Sequence, residues 1–175
     1  GRHHREVASV VSCEGESYRV PLVWDDVTRK HFYQKAVCEE VERECDFFDR
    51  AEWAFPRIKF ASGVSFRKFE GRFADLLPEV VRHLSVIDQH FLSEYRNTRG
   101  DAKELSARLD IDVTMESVKT RGSEKLMKMR DVVYRGRTYR CEWHSKIEPH
   151  RNRIHLAMMD NDCILVGMFV KHLDT

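Results

Sequence analysis

Between residues 125 and 170, four strand-like stretches are joined by very short links, and no other feature of the chain limits the fold as much. The stretches are 125–134, 137–147, 153–159 and 163–170. The links are Arg135-Gly136, Glu148 to Asn152 and Asp160 to Asp162. A parallel pair needs a crossover of about a dozen residues, whereas an antiparallel pair closes with a hairpin. The sequence therefore predicts a four-stranded antiparallel meander.

The second stretch sets the faces. Side chains alternate along a strand, so Tyr139, Cys141, Trp143, Ser145 and Ile147 share one side, while Arg140, Glu142, His144 and Lys146 share the other. In the third stretch Ile154, Leu156 and Met158 take the core side, which turns Arg153 and His155 toward the side of His144 and Lys146. One register consistent with this pairs His144 with His155 and Lys146 with Arg153. Like charges opposed across a ladder are unfavourable unless an anion lies between them. The stretch from Cys163 to Val170 is apolar on both faces, as expected of an internal, covered strand. It delivers Lys171 and His172 at its end.

The region before the meander reads as helical. Tyr18 to Trp24 alternates as a strand, and Pro21 suits an edge. Asp25 or Asp26 caps a helix whose apolar positions run from Phe32 to Phe48 and which ends near Trp53 to Pro56. Ile58 to Phe66 is extended and broken at Ser62-Gly63. A two-piece helix spans about Phe69 to Arg96, with Pro78 opening its second piece, and Asp101 caps a short helix to Leu109. Residues 111–124 are polar and unpatterned and read as a linker or loop. The expected organisation is a strand-helix region over 1–110, this linker, and a meander over 125–175 forming one α+β domain with the N-terminal helices packed on the sheet.

Composition adds exclusions. Hydrophobic residues are 42% and charged residues 34%, which is globular rather than disordered. No apolar run approaches a bilayer-spanning length, and no apolar leader follows Gly1-Arg2-His3-His4-Arg5. Five cysteines without a CxxC pair speak against a disulfide framework or zinc knuckle. A soluble cytoplasmic protein without cofactor or metal is expected. His83 and His90 share a helix flank but lack a clear third ligand. No Gly-rich phosphate loop and no G-x-S-x-G elbow occurs.

The net charge of +1 conceals an asymmetry. From Lys119 to Arg153 there are 11 Lys/Arg against 4 acids, so that block carries 11 − 4 = +7 and the remainder 1 − 7 = −6. Such a block is the footprint of a polyanion-binding face. It is equally the composition of a solvated sheet edge guarded against aggregation.

The imidazoles and cations on one sheet side suit metal-free RNA cleavage. His144 and His155 would exchange protons with the 2′-hydroxyl and the leaving oxygen. Lys146, Arg153 and Lys171 would stabilise charge on phosphorus. Lys125, Lys128, Arg130, Arg137 and Arg140 would guide the RNA backbone. As ordinary polar residues on a wet face, the same two histidines would have no such role.

Three stretches resemble the sheet of RelE/HigB-type toxin ribonucleases. They are Tyr139-Arg140-Cys141-Glu142-Trp143-His144-Ser145-Lys146, Arg153-Ile154-His155-Leu156, and Ile164 through His172. In that family a basic strand precedes one opening with Arg, and an apolar strand then ends in a basic residue. The resemblance implies a metal-independent endoribonuclease in which Lys146, Arg153 and Lys171 contact phosphate. The chain is longer than those toxins, and its end, His172-Leu173-Asp174-Thr175, lacks the aromatic that some members place there. Two other expectations stand beside this one. The first is a non-catalytic nucleic-acid-binding module. The second is an interaction subunit whose acidic stretch Glu39 to Glu44 meets a protein partner.

Overall fold

The computed structural model describes residues 8–13, 16–21, 23, 25–149 and 151–173. It is an α+β structure whose longer helices precede most of the strands. An N-terminal hairpin pairs β1 (Ala8–Cys13) with β2 (Glu16–Pro21). Trp24, expected to end the first strand, lies outside the described residues.

Asp25 caps α1 (Asp26–Glu40) in a reciprocal box. Its carboxylate accepts from the Thr28 backbone N–H at 2.8 Å, and its own N–H donates to Thr28 Oγ1 at 3.1 Å. The long helix expected here is two helices. The chain turns at Val41 to Arg43, and α2 (Glu44–Ala54) follows. Glu44 accepts the Phe66 backbone N–H at 2.7 Å, fixing the start of α2 against the next segment.

The strand β3 (Ile58–Phe60) and a short 3-10 turn at Phe66–Lys68 lead into α3 (Phe73–Val86), a π-turn at Ile87–Phe91 and α4 (Leu92–Asn97). Pro78 sits inside α3 rather than at the start of a second piece. The break falls later, at the π-turn, where buried Asp88 accepts from Lys30 Nζ at 2.5 Å and from the Arg57 backbone at 2.7 Å. That carboxylate ties α1 and the entry to β3 to the helix. Next comes α5 (Ala102–Leu109), capped by Asp101 as expected.

Residues 111–124 are not a structureless linker. They hold β4 (Val113–Met115), α6 (Val118–Arg121) and the first residue of α7 (Glu124–Lys128). The stretch expected to be one strand over 125–134 is α7 followed by β5 (Asp131–Tyr134). The 137–147 stretch divides at Cys141-Glu142 into β6 (Arg137–Arg140) and β7 (Trp143–Glu148), followed by β8 (Arg151–Met158) and β9 (Ile164–Val170).

The main sheet has five strands in the order β3-β9-β8-β7-β4, and β5-β6 form a separate two-stranded sheet. Strands β7, β8 and β9 are antiparallel, as is β4 on β7, while β3 runs parallel to β9 and makes the sheet mixed. The register is His144 opposite His155 and Lys146 opposite Arg153. A bulge at His155/Leu156 leaves Gly167 as the extra residue on β9.

Both faces of the sheet are covered. On one, Trp143 meets the Phe91 and Tyr95 rings edge-on at 5.7 and 5.8 Å, and Phe169 stacks on Phe69 at 4.7 Å. On the other lies the β5-β6 hairpin. A Cβ built on Gly167 would stand 2.3 Å from Cys141 Sγ and 3.1 Å from a Val132 methyl, so only glycine admits the hairpin so close to β9.

Candidate functional site

On the side of the sheet that carries His144 and His155 is a buried polar cluster of Glu116, Arg130, His144 and His155. Four separate segments build it. The ladder of β4 on β7 places Thr114 opposite His144. The chain then runs one residue past β4, where the Glu116 N–H donates to the Glu142 carbonyl at 2.8 Å and its side chain is buried. Arg130 sits in the turn between α7 and β5. Its guanidinium donates to the Leu126 carbonyl at 2.8 Å, and its own carbonyl accepts from Cys141 N–H at 2.9 Å. His155 enters from β8 at the bulge.

Glu116 Oε1 is the centre. Arg130 Nε lies 2.7 Å away, and Nδ1 of both His144 and His155 lies 3.4 Å away. None of these approaches has hydrogen-bond geometry at that oxygen. The imidazole centroids are 5.3 Å apart. His144 Nε2 meets Thr114 Oγ1 at 3.1 Å, while neither ring nitrogen of His155 has a hydrogen-bond partner. Arg130 and His155 are 0% exposed and His144 is 4% exposed.

Charge is distributed accordingly. Burial alone would raise the Glu116 carboxyl, but His144, Arg130 and His155 outweigh it and hold the group at about 2. Burial, helped by His144, lowers His155 to about 3 and keeps it neutral near pH 7. Burial also lowers Arg153 from its usual range, with Glu116 opposing. The cluster at neutral pH is thus a carboxylate facing a guanidinium, with neutral His155 alongside.

The residues singled out from the sequence fall into four groups. His144 and His155 meet across the ladder but are sealed from solvent. Lys146 and Arg153 share their side of the sheet, at its less buried end, and Lys146 pairs with Asp112 at 3.1 Å. Lys171 is not part of the group: it pairs with Glu70 at 2.6 Å, beside Phe69 on the helix-covered side. Among the backbone-guiding cations, Arg130 is buried against Glu116. Arg137 pairs with Asp160 and lies 5.1 Å from the Tyr139 ring centroid. Arg140 binds Asp131 at 2.7 Å and Glu124 at 2.8 Å, which pulls both carboxyls below their usual range. Lys125 and Lys128 are exposed.

Glu116 was missed because it lies in a stretch that showed no pattern. The Thr-x-Glu step from Thr114 to Glu116 carries no signal until β4 is known to pair with β7.

His83, considered with His90, does other work. It is buried, and its Nδ1 meets Ser145 Oγ at 2.6 Å, while Nε2 meets Glu79 at 3.2 Å. His90 is exposed. Ser145 is 0% exposed, so the Ser-His-Glu chain of hydrogen bonds docks α3 on β7 and presents no nucleophile. Burial, together with Arg82, lowers His83 to about 4 against Glu79 and Asp112. A histidine depressed in the folded state costs stability when the unfolded chain takes up its proton first, so stability falls as pH drops from 6.5 toward 4. Between pH 7 and pH 5 this single group removes about 2 kcal/mol. Urea unfolding at both pH values is expected to show that much more acid sensitivity in the parent than in His83→Gln. Equal sensitivity would mean the ring is not held neutral.

The fold and this cluster define an α+β protein with a mixed sheet, closed on its second face over a buried Glu-Arg-His-His group. No family model matches the chain, and no curated protein or solved structure does either. Among the described residues no helix is long and apolar enough to cross a membrane.

Proposed function

We propose that the chain binds nucleic acid through the outer surface of α6, α7 and the β5-β6 hairpin. The supporting observation is how charge is disposed there. The two acids of this surface, Glu124 and Asp131, are both taken by Arg140. Arg121, Lys125, Lys128 and Arg135 are exposed around them. Cations displayed this way suit the phosphate backbone, whose binding releases counterions and is salt-dependent. Backbone contacts of this kind position a protein on nucleic acid without reading its sequence.

Changing Arg121, Lys125, Lys128 and Arg135 together to Gln is expected to weaken binding of a labelled RNA at least tenfold. It should also lower the slope of log affinity against log salt by about one for each phosphate that is no longer neutralised. All four side chains are exposed, so folding should survive. Anisotropy titrations over a salt series read both effects, and an unchanged slope would remove the proposal.

A RelE-like, metal-free endoribonuclease is the second reading. It is favoured by the pairing of His144 with His155 and of Lys146 with Arg153 on one side of the sheet. It requires that side of the sheet to open, because the imidazoles are buried. RNA cleavage in EDTA that disappears in a folded His144→Ala/His155→Ala variant would support it, and intact RNA with the parent would reject it.

A further inference from the structure

We infer that Glu116, His144 and His155 form a binding site for a divalent transition-metal ion of the zinc class, a property separate from nucleic-acid binding. One ligand atom from each residue lies within 4.8 Å of the others, and all three residues are buried. Donors about 2.1 Å from a tetrahedral ion stand about 3.4 Å from one another. Both imidazole Nδ1 atoms are 3.4 Å from Glu116 Oε1.

Three further observations point the same way. Both nitrogens of fully buried His155 lack a hydrogen-bond partner, which is costly for a polar group away from water. His144 Nε2 is 3.1 Å from Thr114 Oγ1. An Nε2–H donated to that hydroxyl leaves the Nδ1 lone pair facing the carboxylate, the arrangement in which a second partner orients a metal-bound histidine. Glu116 Oε1 carries no hydrogen bond although three nitrogens crowd it. Two imidazoles and a carboxylate suit zinc or another first-row ion. The three protein ligands leave a fourth position for water or an anion. Arg153, two residues along β8 from His155, has a buried Nε without a hydrogen bond on the same side of the sheet.

Arg130 is the ion's competitor. Its Nε stands 2.7 Å from the same oxygen, so guanidinium and metal share one carboxylate and repel each other. Removing the guanidinium should therefore tighten metal binding and let the metal replace the missing positive charge.

The test uses the full chain with His3→Ala/His4→Ala as background, since those neighbouring imidazoles could bind metal themselves. Cobalt(II) titration without nucleic acid is expected to give one equivalent with a tetrahedral d–d spectrum, displaced by zinc. In His144→Ala/His155→Ala the affinity should fall at least tenfold. Arg130→Met should bind zinc more tightly than the background protein, and zinc should raise its thermal midpoint by several degrees. Absence of a stoichiometric site in the background protein would overturn the inference, as would affinity unchanged by the double substitution. If Arg130→Met is destabilised and zinc does not restore it, Glu116 serves only as the ion-pair partner of Arg130, and the inference fails. None of these readings depends on whether RNA binds.

Discussion

Arg130→Met is expected to cost about 3–5 kcal/mol of stability in metal-free buffer, among the largest effects of any single substitution in this chain. Arg130 and Glu116 are 0% and 1% exposed at their side chains, with Nε and Oε1 2.7 Å apart. Taking away the guanidinium strands a buried carboxylate, which must stay an ion without its partner or take up a proton. The pair itself is not expected to contribute that much net stability. Two buried charges lose hydration that their attraction only partly restores, so apolar replacements of similar volume can match or exceed such a pair. The double variant Glu116→Leu/Arg130→Met should therefore recover most of the loss. Urea unfolding of the parent, both single variants and the double variant gives the coupling directly. Additive single effects would mean that the two side chains do not share a buried contact.

Gly167→Ala is expected to cost about 2–3 kcal/mol, because the new methyl would have to displace Cys141 and Val132. The Cβ would overlap Cys141 Sγ at 2.3 Å and press on Val132 at 3.1 Å. Cys141 is completely buried, and burial pushes its thiol up to about 12, so it is a packed apolar group rather than a reactive one. Cys141→Ala removes the sulfur that blocks the methyl. Combined with Gly167→Ala it should cost less than the sum of the two single changes, as measured by thermal unfolding. A neutral Gly167→Ala would mean that the hairpin does not rest on β9.

The parts of the structure that could be read in advance are those with a period. Alternation in β7 and β8 put His144, Lys146, Arg153 and His155 on one side of the sheet, because a slip of one residue would have turned Trp143 and Ile154 outward; of the registers this allows, the one pairing His144 with His155 and Lys146 with Arg153 is found. The doubly apolar β9 was recognisable as an internal strand, and it does lie between β3 and β8. The elements that escaped have no period of their own. Strand β4 is three residues long, and its apolar and polar positions cannot be told from a loop. The break at Cys141-Glu142 is silent because Tyr139, Cys141 and Trp143 keep the same parity across it. The parallel pairing of β3 with β9 joins segments a hundred residues apart and leaves no local mark.

The site is hidden in the sequence for a similar physical reason. A basic block reads as a solvated face, yet Arg130 within it is buried because the turn between α7 and β5 carries it inward to Glu116. Arg137 and Arg140 look free in the sequence and are held by Asp160, Asp131 and Glu124 in the fold. The side of the sheet that carries the two histidines was expected to be wet. It is buried, and a hairpin that looked like part of the meander packs against Gly167 of β9 instead.

Labelled RNA titrated with three proteins, with binding and strand integrity read from the same samples, tests most directly the proposal that this protein binds nucleic acid through α6, α7 and the β5-β6 hairpin. The three are the parent, the Arg121/Lys125/Lys128/Arg135 to Gln variant, and His144→Ala/His155→Ala, at a temperature where circular dichroism shows each one folded. The expected result is RNA left intact by all three, similar affinity for the parent and the histidine variant, and at least a tenfold loss for the charge variant. RNA cut by the parent and spared by the histidine variant would contradict it, as would affinity indifferent to the four removed charges.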